Sequence, residues 1–117
     1  MTSILIIEDS VYQRGLLKHV LEKENFIVFE AANGLEGLNK FKTHSPDLIL
    51  LDLNMPEVNG WELLDKLTDK AKIIVFSADI QESSRKKCAE KGVRAFLNKP
   101  LNTGELLSTI TKILQEN

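Results

Sequence analysis

Residues 46–64 read PDLILLDLNMPEVNGWELL, and the order of residue types in that stretch decides the fold. Leu48 to Leu51 are consecutive aliphatic residues with no polar residue between them. A strand with one face in water alternates apolar and polar side chains. A strand buried on both faces does not, and such strands belong to parallel sheets covered by helices on both sides. Asp52 closes the run. Gly60 stands where the chain turns into the next element, a place that favours a residue without a Cβ. Trp61, Leu64 and Leu67 then recur on one face of a helix. The stretch thus reads strand, acid, loop, helix.

The same alternation continues in both directions. The other short apolar runs are Ile4 to Ile7, Phe26 to Phe29, Ile73 to Phe76 and Val93 to Leu97, and all of these carry β-branched residues. Between the runs lie amphipathic stretches. Leu16, Leu17, Val20 and Leu21 make one stripe, Leu35, Leu38 and Phe41 another, and Leu106, Ile110, Ile113 and Leu114 the last. Residues 81–91 are polar nearly all round, with Cys88 and Ala89 as the inward candidates and Gly92 at the C-cap position. Asn102 or Thr103 can cap the final helix. The pattern is βα repeated five times. Right-handed crossovers place helices on both faces of a five-stranded parallel sheet, and in such sheets ligands bind at the carboxyl ends of the strands.

Composition narrows the function classes. The 117 residues suit one domain spanning 1–117, and 43% hydrophobic with 27% charged residues is ordinary for a globular protein. The formal charge of -2, from 15 basic and 17 acidic residues, offers no electrostatic reason to bind nucleic acid or a membrane surface. The densest basic stretch, Arg85, Lys86, Lys87 and Lys91, is interrupted by Glu82 and Glu90 and reads as a solvated helix face. A lone Cys88 cannot form an internal disulfide and fits a reducing cytoplasm, where it serves as a small helix residue. The opening MTSILIIEDS is too short in its apolar part for a leader or a span, so a cytoplasmic chain is expected. His19 and His44 read as solvent-exposed helix residues, and Met55 and Trp61 as packing beside the loop after the third strand.

The residues that follow the strands carry the chemistry. Glu8 and Asp9 follow Ile7, Asp52 follows Leu51, Ser77 follows Phe76, and Lys99 and Pro100 come just after Leu97. Turn residues often include Asp and Ser for local backbone hydrogen bonds. That explanation covers any one position but not polar groups after four strands, a lysine among them. Three crowded carboxylates repel unless positive charge intervenes. Mg²⁺ takes one or two carboxylates, keeps water and completes its shell with phosphate oxygen. Phosphoryl transfer asks mainly for placement and charge neutralisation, which a carboxylate nucleophile, a cation, a lysine and a hydroxyl supply.

With those residues in place, the chain resembles response-regulator receiver domains, most closely the small single-domain type typified by the bacterial chemotaxis regulator. The strings ILIIEDS, PDLILLDLNMPEVNGWELL, IIVFSAD and GVRAFLNKPL carry the resemblance over essentially the whole chain. It implies a flavodoxin-like (βα)5 doubly wound α/β fold with strand order 2-1-3-4-5. It implies Asp52 as phosphoacceptor, Asp9 as a direct metal ligand alongside Asp52, Glu8 acting through a water, and Asn54 offering its backbone carbonyl. The metal would be Mg²⁺, with Mn²⁺ able to replace it. Ser77 resembles the hydroxyl that closes on the phosphoryl group, Lys99 the lysine that pairs with acceptor and then phosphate, and Phe96 the aromatic switch. The Lys99–Pro100 bond is expected to be cis.

Some positions depart from the commonest pattern. Ser77 replaces threonine, Phe96 replaces tyrosine and so has no hydroxyl to offer, and Glu8 stands where many relatives have Asp. Phe96 reads equally as core packing. Asn54 and Asp79, two residues after the acceptor and the switch hydroxyl, read either as tuners of dephosphorylation or as a turn residue and a helix cap. The expected role is a two-component receiver that is not an enzyme beyond its own phosphorylation and dephosphorylation. A sensor histidine kinase or phosphotransfer protein would supply the phosphoryl group. A downstream protein would read the surface of the fourth helix, fifth strand and fifth helix. The chain ends just after that helix, which fits either a stand-alone receiver or a piece of a larger regulator. Two rivals come from other classes. A small phosphatase with Asp52 as nucleophile would need an acid where Asn54 stands, and a flavodoxin-like FMN binder would need hydroxyls and glycine where EDSVYQ is acidic.

Overall fold

Consecutive parallel strands need a crossover, and the chain supplies a helix each time. The elements are β1 (Ser3–Ile7), α1 (Val11–Lys23), β2 (Ile27–Ala31), α2 (Gly34–His44), β3 (Leu48–Asp52), α3 (Gly60–Leu67), β4 (Lys72–Ser77), α4 (Glu82–Glu90), β5 (Ala95–Asn98) and α5 (Thr103–Gln115). This is a computed structural model that describes residues 1–53, 60–68, 70–78 and 81–116, so Asn54, Met55 and Asp79 lie outside the described residues. The strands form one parallel sheet in the order β2-β1-β3-β4-β5, as the resemblance implied.

Period-two alternation sorts the strand residues onto two faces. Ile4, Ile6, Leu48, Leu50, Ile74 and Phe76 pack with Leu17 and Leu21 of α1 and with Leu106, Ile110 and Ile113 of α5. Leu5, Ile7, Ile49, Leu51, Ile73 and Val75 pack with Leu63, Leu64 and Leu67 of α3 and Cys88 of α4. Both faces of β1 and β3 are therefore dry, which is what their unbroken apolar runs encode. Among the described residues no helix is long and apolar enough to cross a membrane.

Several local expectations shift. β3 and β4 run one residue further than their apolar runs, because Asp52 stays in register with Phe76 and Ser77 with Asn98. β2 and β5 start later than Phe26 and Val93, since those residues close the preceding helices. Phe26 N–H donates to Leu21 O at 3.2 Å, and Val93 N–H donates to Cys88 O at 3.1 Å past Gly92, whose φ of +91° only glycine adopts readily. The α2 stripe is misjudged at Leu35, which is 70% exposed. The buried face of α2 is instead Gly34 and Gly37, and a Cβ on Gly37 would stand 2.6 Å from Ile7 Cδ1. Ala89 is exposed, leaving Cys88 as the buried residue of α4. His44 is exposed yet stacks on Phe29, with ring centroids 4.0 Å apart. Asn102, rather than Thr103, caps α5, accepting from Glu105 N–H at 2.9 Å.

Candidate functional site

The carboxyl ends of β1 and β3 lie side by side, with Ile7 in register with Leu51, so the acids that follow them must meet. Glu8 is fixed at every polar group. Its N–H donates to Ala31 O at 3.0 Å, continuing the ladder to β2. Its carbonyl accepts from Arg14 Nη1 at 2.7 Å. Its Oε1 accepts from Ser10 N–H at 3.0 Å, and its Oε2 lies 3.4 Å from Lys99 Nζ. Ser10 in turn caps α1 by accepting from Gln13 N–H. The two residues after Glu8 are thus held between a strand end and a helix start.

Asp52 is buried at the end of β3, and its Oδ2 accepts from Lys99 Nζ at 2.9 Å. Lys99 reaches it from beyond β5, its backbone N–H anchored on Ser77 O at 2.9 Å and its ammonium 5.4 Å from the Phe76 ring centroid. The Lys99–Pro100 bond is cis. Glu8, Asp9 and Asp52 each offer a carboxylate oxygen within 4.8 Å of the other two, with Asp9 on the exposed side.

Electrostatics follow from that crowding. Burial pushes the Glu8 carboxyl up to about 7. The hydrogen bond and charge of Asp52 push the same way, against the pull of Ser10 N–H and Lys99. Burial alone would lower the Lys99 ammonium, but its hydrogen bond to Asp52 and the two carboxylates outweigh burial and raise it. Among the described residues the Lys99 ammonium pairs with Glu8 and Asp52, and Asp9 adds a third carboxylate beside them, so the described part of the cluster is short of positive charge. The donor set of Glu8, Asp9 and Asp52 fits a hard divalent cation with oxygen ligands.

The remaining predicted residues lie on the β4–β5 side. Ser77 is fully buried at the end of β4. Phe96 is half-buried on β5, with the Arg85 guanidinium 4.9 Å from its ring centroid. Arg85 Nη2 also donates to Asn98 Oδ1 at 2.9 Å. Here the basic helix face lies at the surface as read, with Lys86 and Lys87 exposed, but several of its cations also meet neighbouring elements. Lys87 Nζ sits 4.2 Å from the Trp61 ring centroid, and Lys91 pairs with Asp65. The arms of these cations are long enough to lie along neighbouring elements. Asn54 and Asp79 lie outside the described residues. Arg14 escaped the sequence reading altogether, because its partners, six residues before it and across the β1–β2 ladder, share no local period with it.

Comparison with known proteins agrees with this geometry. The model of the response regulator receiver domain matches residues 4–111. The chain is 36% identical to the chemotaxis protein CheY of Bacillus subtilis (strain 168), over 95% of this chain and 96% of that one. A CheY-like receiver domain protein from Methanospirillum hungatei superposes with a TM-score of 0.90 at 31% identity, covering 97% and 94% of the two chains. CheY in the CheX–CheY–BeF3–Mg²⁺ complex from Borrelia burgdorferi gives 0.91 at 30% identity, covering 98% and 90%. The match displaces the phosphatase and flavin-binder readings. A paired lysine and three acids at the sheet edge, within a family match covering nearly the whole chain, therefore lead to one conclusion: this chain belongs to the response regulator receiver domain family, the phosphoryl-accepting part of two-component signal transduction.

Proposed function

We propose that Asp52 is the residue that accepts the phosphoryl group. A phosphohistidine on a sensor histidine kinase or phosphotransfer protein would be the donor, as would a small acyl phosphate. A carboxylate oxygen of Asp52 attacks phosphorus, the bond from phosphorus to the donor breaks, and an acyl phosphate remains on Asp52. Water later attacks the phosphorus and returns the carboxylate. The chain itself is the substrate of both steps, so it is no enzyme in the turnover sense. The observation that carries this reading is the Lys99 ammonium 2.9 Å from a buried Asp52 carboxylate, beside two further acids.

Lys99 balances the Asp52 charge before transfer and is close enough to follow it onto the phosphoryl oxygens. Ser77, at the end of the neighbouring strand, would donate its hydroxyl to that group. Asp9 and Asp52 would hold Mg²⁺ (or Mn²⁺), Glu8 would act through a water and the Asn54 carbonyl would complete the set. The cation would supply the positive charge that three acids and an incoming phosphate lack. Asn54 and Asp79 would set how long the phosphoryl group lasts.

The response is proposed to run through Phe96 to the surface of α4, β5 and α5, which a downstream protein reads. Taking such a switch from mostly off to mostly on needs about 5 kcal/mol of preference for one state. Two or three charge-assisted hydrogen bonds of about 1.5–3 kcal/mol each suffice. With a charge of -2, the proposed partners are proteins rather than nucleic acid or membrane, in the cytoplasm, and 1–117 is taken as one receiver unit.

The test is intact mass after incubation with acetyl phosphate and Mg²⁺, beside an Asp52→Asn control. One phosphoryl adduct that requires Mg²⁺ and vanishes in the control is expected. An adduct that persists in the control removes Asp52 from the chemistry. No adduct, with no beryllofluoride binding either, leaves a binding module that works without phosphorylation.

A further inference from the structure

The residue that holds the acidic edge in shape is itself no acid. Arg14 lies on the first turn of α1 and is mostly buried, its side chain 16% exposed. Nη1 donates to Glu8 O at 2.7 Å, and Nε lies 3.4 Å from Glu30 Oε1. Glu30 sits on β2 in register with Ile6, and its other oxygen is 3.3 Å from Lys18 Nζ, one turn further along α1. A planar guanidinium with several fixed donors can satisfy two partners in different directions at once. Here it bridges the end of β1, the edge strand β2 and the start of α1. Those are the elements between which Glu8 and Asp9 are suspended.

We infer that Arg14 is a positioning residue for the metal-binding acids, acting through the Glu8 carbonyl and braced by Glu30. The inference rests on the metal site proposed above. Its logic is geometric. The Glu8 carbonyl precedes Asp9 directly, so its orientation sets the peptide plane from which the Asp9 side chain departs. Glu8 N–H is already committed to Ala31 O. Fixing the carbonyl as well leaves the Glu8–Asp9 link little rotational freedom, and a pre-oriented carboxylate loses less entropy when it captures a cation.

Charge and position make opposite predictions for Arg14, and that makes the test sharp. Deleting a positive charge beside a cation site should tighten cation binding if Coulomb interaction were the whole effect. Losing the brace should weaken it. The experiment is calorimetric titration of the full chain with Mg²⁺ alone, with no phosphodonor present. In Arg14→Ala the Mg²⁺ Kd is expected to rise about tenfold, the lower end for groups that orient metal ligands. Arg14→Lys should recover part of the loss, since an ammonium keeps the charge but lacks the rigid planar fork that reaches two partners in fixed directions. Glu30→Gln should raise Kd less than Arg14→Ala does and add nothing to it in the double variant, because Glu30 acts through Arg14.

An unchanged or tighter Kd in a folded Arg14→Ala overturns the inference. So does a Glu30→Gln effect of equal size in both backgrounds. If Arg14→Ala does not fold, Glu30→Gln with unchanged Kd overturns it instead. A wild-type chain that binds no Mg²⁺, or one in which Asp9→Asn leaves Kd unchanged, overturns the site reading and this inference together. That result is distinct from one confined to Arg14.

Discussion

The β1–β3 edge and the α4–β5 edge border the same site but are built in opposite ways. At the first, Glu8 is tied through its N–H, its carbonyl and both carboxylate oxygens, and the strands beneath it are dry on both faces. At the second, α4 buries a single cysteine among its side chains. It is tethered by surface cations: Arg85 on Phe96 and Asn98, Lys87 on Trp61, and Lys91 on Asp65. Such contacts are individually weak, about 0–1 kcal/mol each at exposed sites. The difference teaches where a switch can be placed. Carboxylates that would have to hold a cation and the acceptor in a fixed arrangement belong on the over-determined edge. An element that must change position belongs where few apolar contacts oppose it.

The comparison can be broken first by core deletion. Leu50→Ala, in the central strand β3 and fully buried, is expected to lose about 2–5 kcal/mol in urea unfolding. Cys88→Ala in α4 should lose only about 1 kcal/mol. Comparable losses would show α4 to be as firmly packed as the sheet.

A smaller effect, of opposite sign, is expected at the acids. With Mg²⁺ chelated, Glu8 has a folded-state pKa of about 7, above its ordinary 4.5, so the folded protein holds this proton more tightly than the unfolded chain. The resulting stability is fully present below about pH 4.5 and is lost as pH rises through about 7. Glu8→Gln keeps an acceptor for Ser10 N–H but cannot ionise. In EDTA at pH 8 it should therefore be more stable than the wild type by about 1–2 kcal/mol, and Mg²⁺ should shrink that gain. Thermal melts with and without Mg²⁺ read this out, and a less stable Glu8→Gln in EDTA would show that Lys99 already compensates the acids.

The smallest expected effect sharpens the picture of α4. Arg85→Ala removes one ring contact and one hydrogen bond, about 0.5–1 kcal/mol. Hydrogen exchange at α4 amides should accelerate about two- to fivefold, since about 1.4 kcal/mol is a factor of ten in an equilibrium, while β1 and β3 amides keep their rates. Uniform acceleration across the sheet would mean that α4 is not a separate, loosely held unit.

The unbroken apolar runs and the acids, hydroxyl and lysine after them were legible from residue type alone. In β1, β3 and β4 burial on both faces leaves no alternation to confuse, and each strand of the sheet ends within two residues of the end of its run. Element boundaries were less legible. Phe26 and Val93 look like strand residues, but their backbone N–H groups close helices instead. The Leu35 stripe misled because hydrophobicity says nothing about how closely a helix can approach. The glycine face of α2 packs nearer to Ile7 than any leucine face could.

The sequence by itself determined the parallel α/β class, the edge at which chemistry belongs and the residue types available there, because these depend on hydrophobic periodicity and on what each side chain can donate or accept. Only the tertiary structure decided which groups touch. Lys99 lies 47 residues from Asp52, Arg14 reaches Glu30 across the β1–β2 ladder, and Arg85 covers Phe96 from another element. Contacts between distant segments depend on strand order and register, which arise when the sheet assembles and leave no local period to read.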